Sequence, residues 1–246
     1  VGALTWQQRE PGSAALVRLN PLVFAMLGAL GFMVLALVAI AIRGFARVRK
    51  GELLAQHTAT HDALSGLPNR AALIDHLRCA IDKSQSAHDV ALVCIELDGI
   101  KEISDAYGHS VGDQLLRKVS KGFQTLTGTC YLVRVGGDEF AVVIRKAHAS
   151  ERAKELGERL VRFFANPFDI GGRIISVSVS VGIAPVDETA SSVEEVLRRG
   201  DVAMYQAKQE GRNRVCVFDD SLDSLRRHRI EVAADLRRAL AADALT

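Results

Sequence analysis

The stretch Arg134-Val135-Gly136-Gly137-Asp138-Glu139-Phe140 lies between Cys130-Tyr131-Leu132-Val133 and Ala141-Val142-Val143-Ile144. Both flanks are rich in β-branched and aromatic residues, which predicts two strands. A Gly-Gly pair between two such runs predicts a tight hairpin, because both glycines tolerate positive φ. Asp138 and Glu139 then sit at the turn or on the first residues of the returning strand. Two adjacent carboxylates at a bare glycine turn let a large anionic ligand approach with a divalent cation between. A solvated hairpin tip reads the same from these residues alone, so the rest of the chain has to decide.

The 246 residues suffice for one domain of ordinary size plus attachments. A formal net charge of +2 carries no nucleic-acid footprint, so nucleic acid is not expected as a partner. Cys79, Cys94, Cys130 and Cys216 have no CxxC spacing and read as reduced thiols of a cytoplasmic domain. The start at Val1 and the end at Thr246 inside a helical pattern suggest a piece of a longer protein.

Pro21 to Ile42 is an uncharged, apolar run, long enough as a helix to span the roughly 30 Å hydrocarbon layer. A transmembrane helix is expected over 21–43. Arg43, Arg47, Arg49 and Lys50 crowd its C-terminal flank, which places the chain after residue 43 in the cytoplasm. The sequence therefore predicts a single-pass protein of the inner (cytoplasmic) membrane. Residues 1–20 would be an extracytoplasmic remnant and 44–60 a helical linker. His57 and His61 have metal-ligand spacing on a helix, but the Glu of a zincin motif is missing beside His57.

In the cytoplasmic part, Gly66 and Pro68 mark a turn, and Asn69 can cap a helix with its stripe at Leu73, Leu77, Ala80 and Ile81. Asp89 to Asp98 reads as a strand buried on both faces, ending in Glu96-Leu97-Asp98-Gly99. Ligands gather at such strand ends in open α/β sheets. A short helix over 100–107 follows, then a break and a second helix to about Gln124, with Ser110 as a plausible cap. Ser150 to Phe164 reads as an amphipathic helix, Arg173 to Pro185 as one long strand, Val193 to Gln209 as the last helix, and Val215 to Phe218 as a closing strand. The order mixes βαβ and hairpin units, which predicts an α+β class with helices packed on a central sheet.

Four separated blocks make the chain from His61 to Asp219 resemble a GGDEF domain, the diguanylate cyclase family. They are His61–Arg70, Glu96–Asp113, Gly136–Phe140, and Asp201–Lys208 with Gly211-Arg212-Asn213. The resemblance implies a palm-like fold shared with nucleotidyl cyclases and polymerases. It implies condensation of two GTP to cyclic di-GMP with release of pyrophosphate, using Mg2+ (or Mn2+). By resemblance, Glu96 and Asp138 hold metal with the Leu97 carbonyl as a further ligand. Asp138 or Glu139 would stabilise or remove the proton of the nucleophile. Gly99-Ile100-Lys101 would cradle phosphates through backbone N–H groups, and Lys208 and Arg212, four apart on a helix end, would neutralise the triphosphate. Asp113 would bind the guanine edge, with Ser104 and His109 lining the same pocket; His109 could equally be a helix-start residue. Since each domain presents one GTP, a homodimer is expected.

The chain also departs from the family pattern. Glu96 stands where Asp is usual, Ser104 where Asn is usual, and Gly99 where an aromatic is common. Thr127 and Cys130 occupy the positions of a product-inhibition Arg-x-x-Asp motif, so that site should be absent. Residues 220–246 resemble the linker and first helix that lead into EAL phosphodiesterase domains, or form a solvated terminal helix. The leading expectation is a membrane-bound diguanylate cyclase. The alternative is a catalytically weak GTP-binding domain regulating a downstream phosphodiesterase.

Overall fold

The computed structural model describes residues 21, 23–35, 37, 38, 59–84, 89–190 and 192–224. The chain divides into two compact units, Val1–Gln56 and His57–Thr246. In the first, the described residues are helical and exposed, with Phe24, Met26 and Phe32 among them. Among the described residues no helix is long and apolar enough to cross a membrane. The structure thus contradicts the inner-membrane, single-pass localisation expected from the sequence. The expected remnant at 1–20, most of the linker at 44–60, His57, and the tail beyond 224 lie outside the described residues.

In the second unit, helix α1 (Arg70–Asp82) is capped by Asn69, whose side chain accepts from Ala71 N and Ala72 N. Strand β1 (Val90–Asp98) leads directly into α2 (Ile100–Tyr107) and α3 (His109–Thr127). Gly108, with φ +89°, caps α3 in place of the expected Ser110, which lies inside the first turn. The hairpin β2 (Tyr131–Gly136) and β3 (Glu139–Arg145) precedes α4 (Ala149–Phe163). The strand expected over 173–185 is broken. Its first part, β5 (Arg173–Ile175), pairs with β4 (Phe168–Ile170) in a separate two-stranded ribbon, and β6 (Ser178–Pro185) joins the main sheet. Gly171 and Gly172, both at positive φ, turn that ribbon, with Asp169 accepting from Gly172 N at 2.8 Å. Helix α5 (Val193–Gln209) and β7 (Arg214–Val217) complete the unit.

The main sheet has the order β2-β3-β1-β6-β7. Strand β1 is central and antiparallel to both β3 and β6, while β7 runs parallel to β6. Alternation along β1 divides the core. Ala91, Val93, Ile95 and Leu97 pack in the cluster that holds Val119, Phe123 and Leu160 of α3 and α4. Val90, Leu92 and Cys94 pack with Leu73, Leu77 and Met204 of α1 and α5. Glu96 and Asp98 continue this second series, so the fold delivers two carboxylates to the face served by α5. All four cysteines are free.

Candidate active site

The hairpin closes more tightly than a four-residue turn. Gly136 pairs with Glu139, which leaves Gly137 and Asp138 as the connection, and a bulge at Val135 adjusts the register. Gly137 has φ +54°, a backbone region that L side chains rarely adopt. Glu139 is therefore the first residue of β3 and the cross-strand partner of Glu96 on β1. Directly opposed residues share a face of the sheet, and like charges there repel. The hydrogen bond from Leu97 N to the Asp138 carbonyl, 3.1 Å, brings the tip of the hairpin against the end of β1. Burial raises the pKa of Glu139 first, then the charges of Glu96, Asp138 and Asp201, with Lys208 opposing them. Glu139 still keeps much of its surface in solvent, so this shift describes crowding of charge more than removal from water.

Two cations face these acids. Lys208, in the last turn of α5, forms an ion pair with Glu96. Arg212 lies beyond the helix in a turn with φ +61°, not on the helix end expected for it, and its Nε lies 3.7 Å from Asp98 Oδ1. Asp98 is held on its other side by the hydroxyls of Ser178 and Ser180, which donate to it at 2.7 and 2.9 Å.

The phosphate cradle expected at Gly99-Ile100-Lys101 is the first turn of α2. Gly99 is its N-cap at φ +83°, and Ile100 and Lys101 are its first two residues. N–H groups of a first turn lack intrahelical partners and suit an anion. Ser104, His109 and Asp113 form a neighbouring group on α2 and α3. Ser104 and Asp113 are half-buried and His109 is exposed. The two helices approach so closely that a Cβ on Gly112 would fall 2.4 Å from Ser104 Oγ. Thr127 is buried, donating to the Phe123 carbonyl at 2.8 Å.

Three contributors carried no role in the sequence reading. Asp98 was visible as the residue two after Glu96, hence on the same strand face. Asp201 precedes Lys208 by seven residues, two helical turns, which places both on one face of α5. It lines a pocket of about 270 Å³ together with Glu139, Arg70, Leu73, Leu197 and Met204. The third is a clamp on the hairpin. Arg134, whose side chain is 7% exposed, donates from Nη1 to Asp62 Oδ1 at 2.7 Å and from Nε and Nη2 to the Gly137 carbonyl at 3.1 and 2.5 Å. No sequence signal joins Asp62 to Arg134.

The donor set implied for a metal, the Glu96 and Asp138 carboxylates with the Leu97 carbonyl, is all oxygen and suits a hard divalent cation. The crowding of acids around Glu139 is the charge such a cation would relieve. Among the described residues no group of three or more His, Cys, Asp or Glu is arranged to hold a metal, and Glu96 is turned to Lys208.

The family model for the diguanylate cyclase, GGDEF domain, matches residues 59–214. The chain is 35% identical over 184 residues to the bifunctional diguanylate cyclase/cyclic di-GMP phosphodiesterase MucR of Pseudomonas aeruginosa, covering 74% of this chain and 27% of that protein. It is 38% identical over 189 residues to the cyclic di-GMP phosphodiesterase PdeR of Escherichia coli, covering 76% and 28%. The chain thus spans little more than a quarter of the length of these relatives. The crystal structure of the coiled coil and GGDEF domain of DgcB from Caulobacter crescentus, in complex with c-di-GMP, superposes with a TM-score of 0.64 at 28% identity, covering 74% of this chain and 97% of that one.

Proposed function

Because the chain belongs to the GGDEF family of diguanylate cyclases, which works in cyclic di-GMP signalling, we propose that it condenses two GTP to cyclic di-GMP with release of pyrophosphate. The observation that carries this reading is the register of β1 and β3, which opposes Glu96 to Glu139 beside Asp138, with Lys208 against them. Glu96, Asp138 and the Leu97 carbonyl would hold Mg2+ or Mn2+, which when bound polarises the phosphoryl group and acidifies the attacking hydroxyl. Glu139, its carboxyl already raised, or Asp138 would accept the proton of the 3′-hydroxyl. The first turn of α2 at Gly99, Ile100 and Lys101 would orient the phosphates, and Lys208 and Arg212 would neutralise them. Asp113, Ser104 and His109 would read the guanine.

One site holds one GTP, so the reaction needs a second copy face to face, and we place the active form as a C2 homodimer. The likeness to MucR, whose name carries both activities, supports an EAL phosphodiesterase domain downstream in the full-length protein. A second reading, a GTP-binding domain of low turnover that regulates such a partner, is favoured by Glu96 and Ser104 at the positions of Asp and Asn and by the engagement of Glu96 with Lys208. Incubation with GTP and Mg2+, followed by chromatography, tests both. Cyclic di-GMP and pyrophosphate support the cyclase. Bound GTP without product supports the regulatory reading, and absence of both refutes the two together.

A further inference from the structure

Both cations assigned to the triphosphate are held in this structure by the two same-face carboxylates of β1. Lys208 pairs with Glu96 and Arg212 with Asp98. The two pairs differ in kind. The Asp98 side chain is 7% exposed and tied to Ser178 and Ser180, so it is a fixed anchor. The Glu96 and Lys208 side chains are 19% and 26% exposed, open enough to exchange partners. Lysine is a compact charge on a flexible stem, and glutamate reaches one methylene farther than aspartate.

We propose that Lys208 couples metal binding to nucleotide binding by occupying Glu96 until a triphosphate draws it away. The proposal rests on the nucleotidyl-transfer reading above. A metal arriving alone must displace Lys208 and cost its ammonium the ion pair with Glu96. A nucleotide arriving alone can take Lys208 only by abandoning Glu96 opposite Glu139, its cross-strand partner, at the strand end where the Asp138 turn docks. When the two arrive together, metal takes Glu96 and phosphate takes Lys208, and every charge stays paired. Each ligand therefore strengthens the other, by the same factor in both directions.

The test is Mn2+ binding followed by electron paramagnetic resonance, with and without an α,β-methylene analogue of GTP. It uses the full chain and the variants Lys208→Gln and Arg212→Gln, each checked for an unchanged thermal transition. Lys208→Met replaces Lys208→Gln if the latter is not folded. Without nucleotide, Lys208→Gln should bind Mn2+ roughly tenfold more tightly than the parent, within the range of ordinary couplings, and Arg212→Gln should gain much less. With the analogue present the parent should gain strongly and Lys208→Gln little. Equal Mn2+ affinity of parent and Lys208→Gln without nucleotide overturns the proposal. So does an equal gain in Arg212→Gln, which would reduce the effect to net charge. A parent that binds no Mn2+ even with the analogue overturns the nucleotidyl-transfer reading itself, a separate outcome.

Discussion

Burial alone would raise the Asp62 carboxyl, but hydrogen bonds from the Ser65 hydroxyl, Arg134 and the Ser65 N–H, with the Arg134 charge, outweigh it and hold the pKa low. A lowered folded-state pKa means stabilisation that is full above the usual carboxylate range and lost as pH falls through the folded value. Asp62→Asn should cost about 1–2 kcal/mol at pH 7, the lower part of the range for charged hydrogen bonds because the carboxylate is partly solvated. In denaturant titrations the gap between the two proteins should narrow as pH falls below the ordinary carboxylate range. A gap that does not narrow with acidification would show that the ionised carboxylate contributes nothing. At Glu96 and Ser104 the prediction concerns rate. If Glu96 is a metal ligand, its extra methylene would misplace that ligand by on the order of 1 Å, which can cost about 10²-fold, and if position 104 reads guanine, the missing amide would weaken binding by roughly 1 kcal/mol. Glu96→Asp with Ser104→Asn should therefore raise kcat severalfold or more and lower KM about fivefold. A double variant no faster than an active parent contradicts this assignment of the two positions.

Helix α5 delivers Asp201 and Lys208 to the strand ends because two glycines let it lie close to the sheet. A Cβ on Gly182 of β6 would meet Met204 N at 2.2 Å and the Gly200 carbonyl at 2.4 Å, and one on Gly200 would meet Cys94 Sγ at 2.4 Å. The first clash is with backbone, which cannot rotate away. Gly182→Ala should cost about 1–3 kcal/mol by overpacking, read as a lower melting temperature, and should weaken GTP binding as Lys208 is pushed outward. An unchanged transition would mean that the helix has room to spare. The strands and long helices were legible in the sequence because burial imposes periods on it: a continuous apolar run at 90–95, a stripe at Leu73, Leu77 and Ala80, a glycine pair between β-branched flanks. The break between β5 and β6 was not legible. Val177, Val179 and Val181 keep the strand alternation through it, and only pairing with β4 takes Arg173–Ile175 out of the main sheet. Register escaped for the same reason. Composition marks Glu96 and Glu139 as strand residues, but their opposition depends on a bulge at Val135 and a two-residue connection.

In the molecule as a whole, the site is built from segments far apart in the chain. The Asp62 turn fixes the hairpin through Arg134, β1 supplies Glu96, Leu97 and Asp98, and α5 with the turn after it supplies Lys208 and Arg212. The motifs named the participants one by one, and the ion pairs that tie them together, such as Asp62 with Arg134 across 72 positions, came only from the folded sheet. The apolar run at 21–42 shows the opposite failure, where composition alone suggested a membrane span that no described helix provides. If each domain carries one half of the reaction, the rate per chain must depend on how often two copies meet. The direct measurement is the initial rate of cyclic di-GMP formation from GTP and Mg2+, per mole of protein, from micromolar to nanomolar chain, with Asp138→Asn in parallel. The expected result is a specific rate that falls on dilution and no product from Asp138→Asn at any concentration. Product formed by Asp138→Asn at the parent's rate, or a specific rate independent of dilution, would contradict it.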